Sequence, residues 1–120
     1  MRYIIFTVVF LFLVTPTTAT YIAPEPPKPK TTFQLIDEAA LEYRVSSVVM
    51  HKVIKCESQY SKNAIGDGGK SFGLVQIHLP SHPSVSKAQA LDSEYAINFL
   101  AEKLSKGQGH LWTCFRRWYN

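Results

Sequence analysis

Val48-Val49-Met50-His51-Lys52-Val53-Ile54-Lys55-Cys56-Glu57 is the stretch on which the fold turns. Its apolar residues recur at helical spacing. On a wheel of about 100° per residue with Val49 at zero, Val53 falls at about 40°, Met50 at about 100° and Ile54 at about 140°. Glu57 falls at about 80°, inside that apolar arc, whereas His51, Lys55 and Lys52 fall at about 200°, 240° and 300°. Ser46 or Ser47 supplies the N-cap. A carboxyl placed among apolar side chains is costly to ionise, so its pKa rises, and a raised pKa is what a general acid needs. The competing expectation is a helix that stops near residue 56 and leaves Glu57 in water. The wheel alone does not separate the two.

Working outward, Thr32 to Tyr43 reads as an earlier helix, with Phe33, Ile36, Ala40 and Tyr43 spaced for one buried face. Residues 58–72 read as a loop, because Ser61, Asn63, Gly66, Asp67, Gly68 and Gly69 are turn formers. Phe72 to Ile77 fits either a strand edge or a helical turn. Pro80 and Pro83 break regularity, and Lys87 to Ala90 makes one helical turn. Asp92 caps a helix over Ser93 to Lys106, lined on one side by Ala96, Ile97, Leu100, Ala101 and Leu104. Glu94 in its first turn and Lys103 and Lys106 in its last suit the helix dipole, and Gly107 stands at the C′ position. Trp112, Phe115 and Trp118, three residues apart, predict a short terminal helix packed on the core. The expected architecture is mainly α, with an irregular loop region lining a cleft.

At 120 residues the chain holds one small domain with appendages. Residues 1–19 read as an export signal. Arg2 supplies the basic start, Ile4 to Val14 is apolar apart from Thr7, and Thr17-Thr18-Ala19 is a small-residue cleavage site. The apolar run is shorter than the ~20 residues a spanning helix needs, so a membrane tether is expected only if the signal stays uncleaved. No cysteine lies near the cleavage point for lipidation. The expected location is secreted, periplasmic or in the cell envelope. Residues 20–32 form a linker whose Ala23-Pro24-Glu25-Pro26-Pro27-Lys28-Pro29-Lys30 favours an extended polyproline conformation. Residues 33–120 form the folded domain.

A domain this small buries only about two-thirds of its surface and gains from a staple. Cys56 and Cys114 are the only cysteines. Export to an oxidising compartment favours a disulfide between them, contributing about 4 kcal/mol in the chain-entropy model; two buried free thiols are the alternative. The bridge would fix the helix end bearing Glu57 to the C-terminal segment. Without Arg2 the chain carries 12 basic and 9 acidic side chains, a net charge of +3, which suits an anionic polymer such as a bacterial wall.

Other chemistries lack their residues. His78 and His82 are four apart, but Pro80 breaks the helix that would align them, and no His-Glu-x-x-His occurs, so no metal and no cofactor is expected. Serine-nucleophile and phosphate-loop patterns are absent. Nucleic acid is not the expected partner of an exported chain of this charge.

Glu57-Ser58 at a helix end, an aromatic at Tyr60 and then Gly73-Leu74-Val75-Gln76 resemble the lysozyme-like domain of the soluble lytic transglycosylases. Gly66-Asp67-Gly68-Gly69 leading into Ser71-Phe72-Gly73-Leu74-Val75-Gln76 also resembles the goose-type lysozymes. The resemblance covers residues 45–118. It implies cleavage of the β-1,4 bond between N-acetylmuramic acid and N-acetylglucosamine in peptidoglycan, by a monomer acting on glycan strands. Glu57 is then the catalytic acid and base, and the product is a 1,6-anhydro ring. Ser58 and Gln76 map onto residues that position Glu57 or bind sugar, with capping and loop hydrogen bonds as their plainer roles. Asp67 matches the second acidic residue of the goose-type pattern, or is an ordinary turn residue. His78 stands where goose-type enzymes carry an Asp. The late Tyr-Asn-Ala-Gly element of the transglycosylases is not visible, and Tyr95, Trp112 and Tyr119 are the aromatic candidates for its place. An inverting hydrolase needs two carboxyl groups about 6.5–9.5 Å apart, which only Asp67 is placed to complete. Transglycosylation is therefore the expected reaction, and hydrolysis through Asp67 its alternative. A glycan-binding module without activity and an accessory factor of a secretion or conjugation machine are the readings outside catalysis.

Overall fold

The computed structural model describes Leu13, Pro16 and residues 18–119. The expected export signal lies for the most part outside the described residues. Residues 18–30 are exposed and without regular structure, and Thr31 begins the folded part.

Helix α1 (Thr32–Tyr43) opens on a reciprocal cap. The Thr31 hydroxyl accepts from the Gln34 N–H, and the Gln34 side-chain oxygen accepts from the Thr31 N–H at 2.9 Å. Ile36, Ala39 and Ala40 form its buried stripe. Phe33 departs from expectation. It is 55% exposed, and its ring lies against those of His51 and Tyr60, each centroid 5.0 Å away, so it builds a surface aromatic patch and not core. Arg44 ends α1 in the left-handed region at φ 55°.

Helix α2 (Ser47–Ser58) is capped by the Ser46 hydroxyl and continues through Glu57. Met50, Val53 and Ile54 are fully buried. Gln59 and Tyr60, both at positive φ, then turn the chain sharply. The stretch expected as loop contains two strands of two residues, β1 (Ile65–Gly66) and β2 (Ser71–Phe72), followed by β3 (Ile77–His78). They form one antiparallel sheet in the order β1-β2-β3, pairing Gly66 with Ser71, Ile65 with Phe72, and Phe72 with Ile77. Phe72 and Ile77 therefore sit on facing strands, with Gly73–Gln76 as the turn between them. Gly73 has φ +79°, and a Cβ there would stand 2.0 Å from the Ala90 carbonyl oxygen, so the turn is pressed against the next helix.

That helix, α3 (Lys87–Leu91), has a Ser86–Gln89 capping box. Helix α4 (Ser93–Ser105) follows at once, with the Asp92 carboxylate accepting from the Tyr95 N–H at 2.8 Å. Its Ala96, Ile97, Leu100 and Ala101 are buried at the middle of the core, and α1 packs along it. Gly107 (φ +70°) follows its end, and a 3₁₀ turn at Gly109–Leu111 leads to α5 (Thr113–Tyr119), which lies on α2. The fold is mainly helical, as expected. None of the described helices is long and apolar enough to cross a membrane.

Candidate active site

Glu57 occupies the last turn of α2 and is half-buried. Its Oε1 accepts the main-chain N–H of Cys114 at 3.1 Å. Cys56, its neighbour, is disulfide-bonded to Cys114 with the Cα atoms 6.0 Å apart. The start of α5 is thus joined to the end of α2 twice, by a covalent bond and by a hydrogen bond to the carboxylate. Burial pushes the Glu57 carboxyl above the usual range. The Cys114 N–H opposes that rise, the Asp67 charge adds to it, and the Arg116 guanidinium opposes it. The result is an acid that keeps its proton to higher pH and has a fixed donor ready for the carboxylate once the proton leaves.

The turn between β1 and β2 carries Asp67, which is exposed and sits in the left-handed region at φ 50°. Its Oδ2 accepts from the hydroxyl of Ser71, which is itself buried. That bond folds the carboxylate back onto the hairpin, while its charge still reaches Glu57.

Gln76 ties the same region together. Its Nε2 donates to the Gly73 carbonyl at 2.9 Å and to the Ala64 carbonyl at 3.2 Å, linking the β2–β3 turn to the residue that precedes β1. Its Oε1 lies against Gly66, where a Cβ would stand 2.3 Å from it. A residue larger than glycine here would push this amide out of its place. Val75, one residue earlier, has its carbonyl held by the Trp112 indole N–H at 2.7 Å. Trp112 is buried, so it is a latch from the C-terminal segment onto the β2–β3 turn and not an exposed aromatic platform.

The remaining expected residues lie at varying distance from this arrangement. The Ser58 hydroxyl is buried and donates to the Ile54 carbonyl at 3.2 Å, so it is used within α2. His78 pairs through Nδ1 with the Ser81 hydroxyl at 2.8 Å. Both line a small cleft of about 90 Å³ with Gln76, His82, Phe99 and Trp112. His82 packs edge-on to Phe99, and burial, then Lys103 and His78, hold its pKa down. Tyr95 stacks on Phe99 at 6.4 Å, one aromatic ring removed from that cleft. Among the described residues no cluster of three or more His, Cys, Asp or Glu is arranged to hold a metal.

The residue that sequence reasoning did not single out is Cys114 as a hydrogen-bond donor. It contributes through its main chain, which leaves no mark in a side-chain pattern. Trp112 stands out in the sequence for its aromaticity, whereas its indole N–H is what ties the C-terminal segment to the β2–β3 turn.

Compared with known proteins, the chain matches no family model, no curated protein and no solved structure.

Proposed function

We propose that the chain is a peptidoglycan lytic transglycosylase with Glu57 as its single acid and base. One observation carries this: a half-buried carboxyl whose proton is held by desolvation, with a main-chain N–H 3.1 Å from the oxygen that bears the charge after transfer. The protonated form of Glu57 donates to the glycosidic oxygen between N-acetylmuramic acid and N-acetylglucosamine. The carboxylate so formed, steadied by the Cys114 N–H, takes the proton from the muramic C6 hydroxyl. That oxygen closes on C1, and the 1,6-anhydro sugar is released with no water consumed.

A specific observation keeps hydrolysis as the second reading. Asp67 is a carboxylate close enough for its charge to raise the Glu57 pKa, and an inverting hydrolase uses such a second group to activate water. The engagement of Asp67 by Ser71 favours the single-carboxyl route.

Mass spectrometry of muropeptides released from purified wall decides between them. Anhydro products, lighter by one water, support the proposal, and reducing ends support hydrolysis. A chain that binds wall glycan and releases nothing is a binding module.

A further inference from the structure

We infer that the Cys56–Cys114 bridge is a thiol-exchange switch on Glu57, reached by an anionic thiol through a basic groove on the far edge of α2. The groove has a volume of about 520 Å³ and is lined by Lys52, Lys55, Cys56, Gln59, Tyr60 and Trp118. On the α2 wheel, Lys55, Lys52 and Cys56 span about 240° to 340°, whereas Glu57 stands at about 80°. The groove and the carboxyl therefore use opposite edges of one helix, and the disulfide crosses between them. An incoming thiol meets the bridge from the edge of α2 that Glu57 does not occupy.

Accessibility and charge both favour attack from this side. Cys56 is half-buried and lines the groove, whereas Cys114 is only 8% exposed and does not, so the bridge is approached from its Cys56 side. Trp118, at the groove wall, is 44% exposed. Lys52 and Lys55 lie one helical turn apart, and neither joins an ion pair among the described residues. Lys52 Nζ stands 6.0 Å from the centroid of the Tyr119 ring. Two ammonium groups at one groove draw in an anionic thiol and favour its thiolate form, the nucleophile of exchange.

The chemistry is a two-electron reduction. A thiolate bonds to the Cys56 sulfur, the S–S bond breaks, and Cys114 leaves as a thiolate that takes a proton from solvent. A second thiol resolves the mixed disulfide, so that Cys56 becomes a thiol and the reductant ends as its own disulfide. Cys114 is then free to draw its main chain away from α2. Glu57 loses the N–H that holds its carboxylate and the shelter of α5 together. The charged groups facing Glu57 are Asp67 from the β1–β2 turn and Arg116 from α5, and the latter moves with the released segment. Burial is the largest influence on this carboxyl, so reduction returns its titration downward toward the ordinary range.

The test uses the full oxidised chain. Its reduction rate is followed by thiol trapping and mass spectrometry with glutathione, an anionic thiol, and with cysteamine, a cationic one. Carbon-13 NMR of labelled glutamate follows the Glu57 titration in both redox states. The doubly charge-reversed Lys52→Glu/Lys55→Glu chain is expected to react with glutathione at least about tenfold more slowly and with cysteamine no more slowly. The Glu57 titration is expected to fall on reduction, to recover on reoxidation, and to match the reduced state in Cys56→Ser/Cys114→Ser. Equal glutathione rates in the two chains overturn the inference. So does an unchanged Glu57 titration in a folded reduced chain, or global unfolding on reduction by near-UV circular dichroism, since the bridge is then a staple and not a switch. The effect on cleavage rests on Glu57 being the catalytic acid. If the oxidised chain cleaves no glycan, that function fails while the exchange rates and the titration still decide the switch.

Discussion

The Cys114 N–H donates to the Glu57 carboxylate at 3.1 Å across 57 positions of sequence. An acid at the end of one helix is thereby supported by the first turn of another, and the disulfide from Cys114 to Cys56, the residue before Glu57, holds the pair in place. Glu57→Gln keeps an oxygen for that N–H and removes the transferable proton. The expected outcome is an intact fold by circular dichroism and a loss of about 10²- to 10⁴-fold in the turbidity clearance of a wall suspension.

The same carboxyl makes stability depend on pH in a definite direction. Its pKa is higher in the folded chain than in the unfolded one, so the folded chain binds its proton more tightly. The corresponding stability is fully present below the ordinary carboxyl range and is lost as pH rises through the folded-state value. Glu57→Gln has no such loss. Thermal melts are expected to show the variant gaining on the wild type from acid toward neutral pH, and a variant that loses ground to the wild type over that range contradicts the raised pKa.

Asp67→Asn removes a negative charge that helps Glu57 keep its proton. Asn tolerates the left-handed backbone at this position, and its amide oxygen can accept from Ser71. The alkaline limb of the pH–rate profile is expected to move to lower pH, with anhydro products still released. Loss of all cleavage, together with reducing-end products from the wild type, would move the reaction to hydrolysis.

Two glycines separate support of the fold from support of the site. Gly73→Ala drives a Cβ to 2.0 Å from a main-chain oxygen at positive φ, with no flexible group to yield. The expected loss is about 2–4 kcal/mol in urea unfolding. Gly66→Ala meets only the Gln76 side-chain oxygen, which can swing aside. That costs about 1 kcal/mol, but it breaks the Gln76 bonds to Ala64 and Gly73, so cleavage is expected to fall more than stability does.

The helices were legible because each carries a periodic apolar face and a cap. Ser46 and Asp92 mark helix starts, and Gly107 marks an end, in the sequence as in the fold. Phe33 misled because its spacing matches Ile36 while its ring has only His51 and Tyr60 to meet. The sheet was illegible because strands of two residues are too short to show a period, and their turn glycines read as loop. At the site, the face that Glu57 takes on α2 could be read from the wheel, but not that the helix runs as far as Glu57. Its partner could not, since a main-chain N–H is the same in every residue except proline. The role of Gln76 as a brace depended on the bare Cα of Gly66, a contact that only the folded hairpin creates.

Trp112 and Cys114 stand two residues apart, yet one fastens the β2–β3 turn and the other supports the acid. Resection of residues 112–120 would thus take away the tie on the β2–β3 turn and the donor to Glu57 in a single cut, outside the pairing of α1 with α4. Affinity handles and fluorophores belong at the opposite end of the polypeptide, ahead of Thr31, where residues 18–30 are exposed.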